Sequence, residues 1–375
     1  MPSRLTDTDS VPGRLTVTPS QFRRLAYLGL GSLTLIVLTG AVVRLTDSGL
    51  GCPDWPRCYG KVLPPLSGHA VVEYSNRAVS GLVSLIAVIV FVAALRRRPL
   101  RRDLVWLAAA LPVGVLAQAV LGGFTVREHL APGFVMAHFS LSMIVLVAAV
   151  ALAWRSAHEP GWRPGSTDRV SVWSVRALLP LGAVTIFAGT AATAAGPHSG
   201  GVTGQHVHRL TFEGTGTLLW VVHRHATIAA VFGTAVIGVW LLNRRRGMRA
   251  TLEPLTVLGL LLAAQGLVGS VQYELHLPAD VVWVHVTLAT LTWLALLWTT
   301  AAAGQLAKRH HPTLTLKDEP ALAGELAPEE TALASRRYAA AAHDTPGAPA
   351  PPRRAGHPSR AGHPRRAGDP SRAGH

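Results

Sequence analysis

Charged side chains are scarce in this chain. Only 15% of its 375 residues are Asp, Glu, Lys or Arg, whereas 49% are hydrophobic, and an ordinary soluble domain carries about 25% charged residues. This shortage predicts a membrane protein and argues against a soluble enzyme. The formal net charge of +15 does not indicate nucleic-acid binding, because the positive residues lie in short segments between apolar runs.

Cysteine is also nearly absent. Cys52 and Cys58 are the only two, which excludes a fold supported by a disulfide framework. The N-terminal segment up to about Gln21 is polar, and it lacks the short apolar core and small-residue cleavage site of a signal peptide.

Long apolar runs, in contrast, are frequent. A spanning helix needs about 20 mostly apolar residues, and the chain contains eight such runs. They lie near residues 25–43, 71–94, 104–124, 133–153, 173–194, 217–241, 253–272 and 280–303. They are too long for strands, and the hydrocarbon layer accommodates only helices or closed barrels. The predicted fold is an all-α integral membrane protein with eight transmembrane helices.

The distribution of arginine predicts the orientation. Arginines concentrate in the N-terminal segment and in the second, fourth and sixth connections, whereas the other connections contain few Arg or Lys. Positively charged loops stay in the cytoplasm. We therefore expect a multi-pass protein of the cell membrane with both termini cytoplasmic, residues 1–24 forming a cytoplasmic segment. The first connection, which contains both cysteines, is then outside, where thiols can be oxidised.

Residues 304–375 differ in composition from the rest of the chain. They are rich in Ala, Pro, Gly and Arg and end in near-repeats that begin at Arg354, Arg360, Arg366 and Arg372. Such a segment cannot bury a core, so it is predicted to be a disordered cytoplasmic tail rather than a metal-binding tract.

An internal repeat relates the two parts of the chain. Six pairs of residues share one offset of 147 positions, for example 265 − 118 = 147. The pairs are Gln118 with Gln265, Gly122 with Gly269, His129 with His276, His138 with His285, Arg77 with Arg224, and Asn76 with His223. The first and fifth runs match only loosely, around Gly40 and Gly189. The repeat predicts two pseudo-symmetric four-helix bundles, residues 25–155 and residues 173–303, related by an axis along the membrane normal.

Histidines inside the predicted membrane helices are candidates for a functional site. His138, His223 and His285 each lie a few residues into a helix that enters from the outer side. Such residues are costly in a membrane and indicate function, and two facing imidazoles in a four-helix bundle bind heme iron well. We predict that all three histidines bind heme iron, with His223 and His285 as a pair. The alternative is that each histidine bonds only to a neighbouring helix. Zinc is disfavoured, since no Cys, Asp or Glu lies beside them at ligand spacing.

The first half departs from this symmetry at two positions. Asn76 stands where the second half has His223, so His138 alone would hold a heme there and one axial position would be open. Glu73 lies three residues before Asn76 on the same helix face and is suited to acid–base chemistry. These differences predict a catalytic first half and an electron-relaying second half. An ion pair with Arg77 is the alternative role for Glu73.

Arg77 and Arg224 directly follow the two repeated positions on their helices. Guanidinium groups match carboxylates well, so pairing with heme propionates is one expected role. Snorkelling of both side chains to the membrane interface is the other.

The cysteines of the first outer loop are separated by five residues. Cys52 and Cys58 can form a structural disulfide that closes a small loop, or they can act as a redox-active pair, because outward-facing thiols can exchange. The sequence leaves both roles open.

In this order, these motifs resemble the heme A synthase family. The resemblance covers about residues 22–303. It rests on the string from Gly40 to Pro56, on Glu73-Tyr-Ser-Asn76-Arg77, on the string from Pro132 to His138, on His223-Arg224, and on His285. The family is an eight-helix, two-half membrane enzyme that oxidises the C8 methyl group of heme O to the formyl group of heme A, which goes to terminal oxidases.

The resemblance also implies a site. It places a heme b cofactor in the second half and the substrate heme O in the first half. The cofactor residues are His223, His285 and Arg224, the substrate residues are His138, Asn76 and Arg77, and the residues tied to catalysis are Glu73, Cys52 and Cys58. Asn76 departs from the family pattern, which has histidine there, and the fifth loop lacks a matching cysteine pair.

The expected reaction is successive hydroxylation of the heme methyl group, followed by loss of water, with electrons leaving through the second-half heme b. Expected partners are heme O synthase, assembly factors of the terminal oxidase, an electron acceptor such as a quinone, and the lipid bilayer; nucleic acid is not expected. The alternative function is a diheme b-type membrane electron carrier for quinol oxidation.

Overall fold

The computed structural model describes residues 16–306, except 64, 67, 159–164, 167, 203 and 213. Among these residues, eight helices are each long and apolar enough to cross a membrane, which confirms the predicted fold class. They are α1 (Pro19–Leu45), α2 (Gly68–Arg96), α3 (Arg102–Arg127), α4 (Pro132–Ala157), α5 (Arg169–Ala195), α6 (Thr217–Arg245), α7 (Arg249–Glu274) and α8 (Ala279–Ala302). Two short strands, β1 (Gly165–Ser166) and β2 (Gln305–Leu306), pair in parallel. Residues 1–15 of the predicted N-terminal segment and residues 307–375 of the predicted tail lie outside the described residues.

Most helices extend a few residues beyond the predicted apolar runs. α2 continues through Arg96 and α6 through Arg245, because backbone hydrogen bonding continues until a cap or turn ends it, whereas hydropathy marks only the part suited to hydrocarbon. α1 begins at Pro19 because the Thr18 side chain accepts a hydrogen bond from the Gln21 N–H, while the Gln21 side chain accepts one from the Thr18 N–H. This reciprocal pair is a capping box.

The helices pack as two rings of four. In the first ring α1 and α3 each pack against α2 and α4, and in the second ring α5 and α7 each pack against α6 and α8. The rings meet where α8 packs against α1 and α4, and where α4 packs against α5. The predicted two-bundle architecture is confirmed. The end of the helices nearest Cys52 and Cys58 is called the cysteine-loop end.

The two rings are related by two offsets rather than one. Buried residues of α1 and α2 have buried counterparts 149 positions later, and α6 begins 149 positions after α2 (217 − 68 = 149). Buried residues of α3 and α4 have buried counterparts 147 positions later, and α7 begins 147 positions after α3 (249 − 102 = 147). Pairs at 149 include Ala26 with Val175, Val83 with Phe232, Ala87 with Val236 and Ala94 with Asn243. Pairs at 147 include Leu104 with Thr251, Leu111 with Leu258, Leu146 with Trp293 and Ala149 with Leu296.

A difference in loop length explains the change of offset. The connection between α2 and α3 spans residues 97–101, whereas the one between α6 and α7 spans only residues 246–248. The structural counterpart of Asn76 is therefore His225 (225 − 76 = 149), and not His223 as the single offset of 147 predicted.

The turns that join α3 to α4 and α7 to α8 have the same backbone conformation. His129 and Leu130 have φ of 48° and 59°, and His276 and Leu277 have φ of 62° and 63°, values that are uncommon for residues other than glycine. In each turn the leucine N–H donates to the carbonyl five residues earlier, as in a Schellman cap. The repeated turn supports the offset of 147 for these helices.

Close packing in the second ring is concentrated away from the cysteine-loop end. The buried residues of α7 are Thr251, Leu255 and Leu258, and those of α8 all lie between Thr290 and Ala302. Packed protein interiors have few voids, so the looser ends of α7 and α8 leave room inside this ring.

Candidate functional site

Two imidazole rings face each other inside the second ring of helices. The ring centroids of His225 on α6 and His285 on α8 lie 6.3 Å apart, with an angle of 76° between the ring planes. A metal ion bonded to one nitrogen of each ring at about 2 Å requires ring centres about 6 Å apart. The separation therefore suits a single metal ion between the two rings.

Residues of α5 orient the His225 ring. Its Nδ1 lies 3.1 Å from the carbonyl oxygen of Thr185. Because a carbonyl oxygen only accepts, Nδ1 carries the proton and Nε2 keeps its lone pair for a metal ion. A Cβ atom at Gly189 would lie 3.1 Å from the His225 ring, so glycine at this position gives the imidazole its space.

His138 and His285 occupy equivalent pockets in the two rings. A Cβ atom at Gly122 would lie 3.2 Å from Cε1 of His138, and one at Gly269 would lie 3.1 Å from Cε1 of His285. In the described part of the chain, Nδ1 of each histidine is buried without a hydrogen-bond partner. Buried polar atoms are costly when unpaired, so both histidines are suited to hold a further group. These pockets, together with the imidazole pair, fit a heme.

His223 and Arg224 lie on a different face of α6. Two residues of an α-helix are rotated by about 200° from one another, so His223 is exposed when His225 faces His285. Arg224 is exposed as well, with its guanidinium carbon 5.2 Å from the centre of the Trp220 ring. The structure thus brings His225, rather than His223, to His285. Cofactor binding by His223 and Arg224 stays a prediction that this geometry does not support.

Asn76 takes the place in the first ring that His225 has in the second. Its Oδ1 accepts a hydrogen bond of 2.8 Å from Oγ1 of Thr39 on α1. At Gly40, the counterpart of Gly189, an added Cβ atom would meet no atom within 4 Å. The shorter asparagine therefore leaves open space where the second ring has an imidazole.

Glu73 is buried at the cysteine-loop end of the first ring, with 5% of its surface exposed. Its Oε2 accepts a hydrogen bond of 2.7 Å from the Cys52 N–H, and its Oε1 accepts one of 2.5 Å from the Arg77 guanidinium. Arg77 also donates to the carbonyl oxygens of Cys52, Asp54 and Arg57. The ion pair that the sequence left open is thus present, and it ties the cysteine loop to α2. Acid–base catalysis by Glu73 and substrate binding by Arg77 stay predictions.

Cys52 and Cys58 are both buried and form a disulfide, as the sequence predicted for one of the two open roles. The loop that they close lies over the first ring, because a Cβ atom at Gly123 of α3 would lie 3.0 Å from the Trp55 ring. A redox role of the pair stays a prediction.

Backbone groups also hold this loop in shape. The N–H groups of Gly60 and Tyr59 each donate to the Asp54 carboxylate at 2.6 Å. These bonds, that from Gly60 first, keep the pKa of Asp54 below its ordinary range, so the carboxylate stays ionised as an acceptor at neutral pH.

Sequence reasoning missed His225 and its partner Thr185, and it did not connect Gly189 with the site. One signal was present: Gly40 and Gly189 lie 149 positions apart (189 − 40 = 149). The connection between α6 and α7 is two residues shorter than its counterpart, and this difference is visible only once the helix ends are known.

Comparisons with known proteins agree with these motifs. The model of the COX15-CtaA family, described as a cytochrome oxidase assembly protein, matches residues 23–72 and 67–203. This region includes the cysteine loop, Asn76 and His138, and it ends before His225 and His285.

Several curated relatives are named heme A synthase. The chain is 31% identical over 173 residues to the protein of Shewanella oneidensis. This match covers 41% of this chain and 49% of the relative. The chain is 38% identical over 120 residues to that of Symbiobacterium thermophilum, covering 32% and 39%, and 33% identical over 120 residues to that of Alkalihalophilus pseudofirmus, covering 32% and 40%. In each case the match spans less than half of the relative's own length.

The matched region contains the parts of the first ring on which the sequence resemblance rested. Through residues 23–203 this chain is similar to the COX15-CtaA cytochrome oxidase assembly family and to proteins named heme A synthase.

Proposed function

We propose that this chain is a heme A synthase, an oxidoreductase that converts the C8 methyl group of heme O to a formyl group by successive hydroxylation. The observation that carries the proposal is the His225–His285 pair, whose ring centroids lie 6.3 Å apart. An equivalent histidine, His138, occurs in a half that has Asn76 in place of the second imidazole. The names of the curated relatives support the same activity.

In this proposal the second half holds heme b, with His225 and His285 as its ligands. When bound there, the heme stores and passes single electrons. The hydrogen bond from His225 Nδ1 to the Thr185 carbonyl keeps Nε2 free and strengthens it as a ligand. His225 takes the role that the sequence assigned to His223.

The first half binds heme O, with His138 as the residue that holds its iron. Asn76 stands where the second half has His225, and its amide oxygen accepts a hydrogen bond from Thr39. Because asparagine is a poor iron ligand, His138 is the one imidazole that we assign to the substrate iron among the described residues, and the second ligand position stays open. An open position of this kind favours chemistry and product release over stable electron storage.

The cysteine loop covers the first half and limits the access of water to it. Trp55 packs on Gly123, and the Arg77 guanidinium donates hydrogen bonds to three carbonyl oxygens of the loop. Exclusion of water strengthens electrostatic interactions within a site and prevents side reactions. Glu73 remains the candidate acid–base residue, and its ion pair with Arg77 fixes the position of its carboxylate.

The protein would function as a multi-pass protein of the cell membrane. The arginine-rich connections favour cytoplasmic termini and a cysteine loop on the outer side. Expected partners are the enzyme that supplies heme O, the assembly factors that receive heme A for the terminal oxidase, and an unidentified electron acceptor, for which a quinone is one candidate.

The test is expression of the full chain in a host that makes heme O but no heme A, followed by extraction of the hemes and chromatography with mass detection. Appearance of the formyl heme or of its hydroxymethyl precursor supports the synthase, and a Glu73→Ala variant then tests the proposed acid–base group. Bound heme b with unaltered heme O in the wild type would favour the diheme electron carrier. The equivalent surroundings of His138 and His285 are the observation that keeps this second function in consideration.

A further inference from the structure

Two arginines converge on one backbone oxygen at the cysteine-loop end of the second ring. Arg44, in the last turn of α1, and Arg209, in the connection from α5 to α6, donate to the carbonyl of Thr193 at 3.2 Å and 3.3 Å. Arg44 reaches this carbonyl from the other ring, and a Cβ atom at Gly200 would lie 3.3 Å from its Cγ. The two guanidinium groups are therefore neighbours where the first ring of helices contacts the second.

The positive charge of this arginine pair is not neutralised. Asp47 is the acidic residue that acts electrostatically on both guanidinium groups, but no described carboxylate lies within ion-pair distance of either one. Nε of Arg44 is buried without a hydrogen-bond partner among the described residues. Burial lowers the pKa of Arg209, and Asp47 offsets this only in part. Two arginines that share one neutral acceptor favour an additional anion.

Arg209 also lines a cavity at the mouth of the second ring. The cavity has a volume of about 650 Å³, and its wall includes Leu218, Tyr273, Glu274, His276 and Leu277. It therefore combines an apolar surface with a positively charged edge, and Glu274 is the acidic side chain in its lining. A ligand that fills it would be apolar in the main and carry its negative charge towards Arg209.

The cavity lies nearer to the cysteine-loop end of the second ring than the two imidazoles do. His285 lies six residues into α8 and His225 lies eight residues into α6, which corresponds to about 9 Å and 12 Å along the helix axes. Arg44 and Thr193 lie in the last turns of α1 and α5, at the cysteine-loop end. The cavity therefore lies on the cysteine-loop side of the two imidazoles, where the propionate edge of a porphyrin whose iron is bound by both histidines could reach it.

We propose that Arg209 binds a propionate carboxylate of the porphyrin held by His225 and His285, and that Arg44, through the shared Thr193 carbonyl, adds the second positive charge. This inference rests on the proposed function only in requiring a heme in the second half. It replaces the role that the sequence suggested for Arg77 and Arg224, since Arg77 is engaged by Glu73 and the cysteine loop, and Arg224 lies over Trp220.

The experiment varies the carboxylate and the arginine together. The full chain, prepared without heme, is titrated with iron protoporphyrin IX and with its dimethyl ester, and binding is followed by the heme absorbance. We expect the wild type to prefer the free acid, and we expect Arg209→Gln to weaken binding of the free acid by about tenfold or more while leaving binding of the ester unchanged. Arg44→Gln should have the same but smaller effect. Unchanged ester binding also shows that the variants are folded.

Arg127→Gln is the matched control, because Arg127 is exposed at the cysteine-loop end of the other ring. It should keep the full preference for the free acid. An Arg209→Gln variant that keeps this preference would overturn the inference while leaving the heme site intact. A wild type that binds neither porphyrin, or a His225→Ala variant that binds both as the wild type does, would instead overturn the assignment of the second-half heme.

Discussion

The two rings of helices share one frame, but their cysteine-loop ends are built differently. In the first ring, Glu73 and Arg77 hold a disulfide-closed loop over the helix ends. In the second ring, the corresponding end opens into a cavity with Arg209 at its wall. The interior differs as well, because the second ring has His225 where the first has Asn76.

Under the proposed function, one repeated unit supports two tasks. The helix contacts, the equivalent histidines His138 and His285, and the turns after α3 and α7 are common to both halves. The differences lie in one connection that is two residues longer, in one loop, and in one side chain that faces the pocket. An imidazole pair favours stable binding of a redox group, whereas a single imidazole under a covered end favours a substrate that must be released.

The largest effect is expected when the imidazole pair, which distinguishes the second ring from the first, is removed. We expect His225→Ala to abolish six-coordinate heme binding in the second half, because His285 then lacks its partner at 6.3 Å. His223→Ala should retain it, since His223 is exposed on another face of α6. Absorbance and electron paramagnetic resonance spectra of the purified variants provide the measurement. Loss of the signal in His223→Ala, with retention in His225→Ala, would restore the pairing expected from the sequence.

A second change tests the covered end of the first ring. Glu73→Gln keeps an acceptor for the Cys52 N–H but removes the charge that pairs with Arg77. Removal of one partner of a buried ion pair is expected to lower the free energy of unfolding by about 3 kcal/mol. Thermal unfolding in detergent measures the effect, with Glu128→Gln at an exposed position as the control. A Tm equal to that of the wild type would show that the loop does not depend on this pair.

Asn76→His tests whether the asymmetry inside the rings controls retention of the substrate. A second imidazole facing the first-half pocket should slow the release of heme O on the order of tenfold, and the heme spectrum should become six-coordinate. The transfer rate of heme O to an excess of apomyoglobin measures release. Asn76→Gln serves as the control, because it lengthens the side chain without adding an imidazole. Equal release rates from all three proteins would contradict the assignment of this position.

The smallest expected effect concerns the ends of the rings opposite the cysteine loop. In the second ring, Arg246 donates to the Asp168 carboxylate at 2.7 Å and 2.9 Å and holds its pKa below the ordinary range. Because the folded pKa is depressed, the bond contributes stability above the pKa of an unfolded aspartate, about 3.9, and this contribution is lost as the pH falls through the folded pKa.

The Tm of an Asp168→Asn variant should therefore lie slightly below that of the wild type at pH 7, and the gap should shrink under acidic conditions. In the first ring, Asp103 pairs with both Arg101 and Arg155 at 2.8 Å, so Asp103→Asn should cost more at pH 7. A gap for Asp168→Asn that widens on acidification would contradict the sign of this linkage.

Much of the fold could be predicted from the sequence because hydrophobic length is a local property. The apolar runs identified all eight helices. Only the exact helix boundaries were predicted incorrectly, as at the arginine-rich ends Arg96 and Arg245. The equivalence of His138 and His285 was also correct, since both lie in helices whose offset is uniform. The site was harder to predict, because each functional contact joins residues that are far apart in the chain.

The sequence by itself determined the number of helices, their duplication, the pair of cysteines and the loss of a histidine at Asn76. It did so because the length of apolar runs, repeated motifs and residue identity need no knowledge of distant neighbours. Only the tertiary structure decided that His225 faces His285, that Glu73 is engaged by Arg77 and Cys52, and that Arg44 and Arg209 share the Thr193 carbonyl. A difference of two residues in one connection shifts the matched position on α6 by two residues, which is a rotation of about 200° around the helix axis. Which face of the helix is buried depends on the packing of every helix around it.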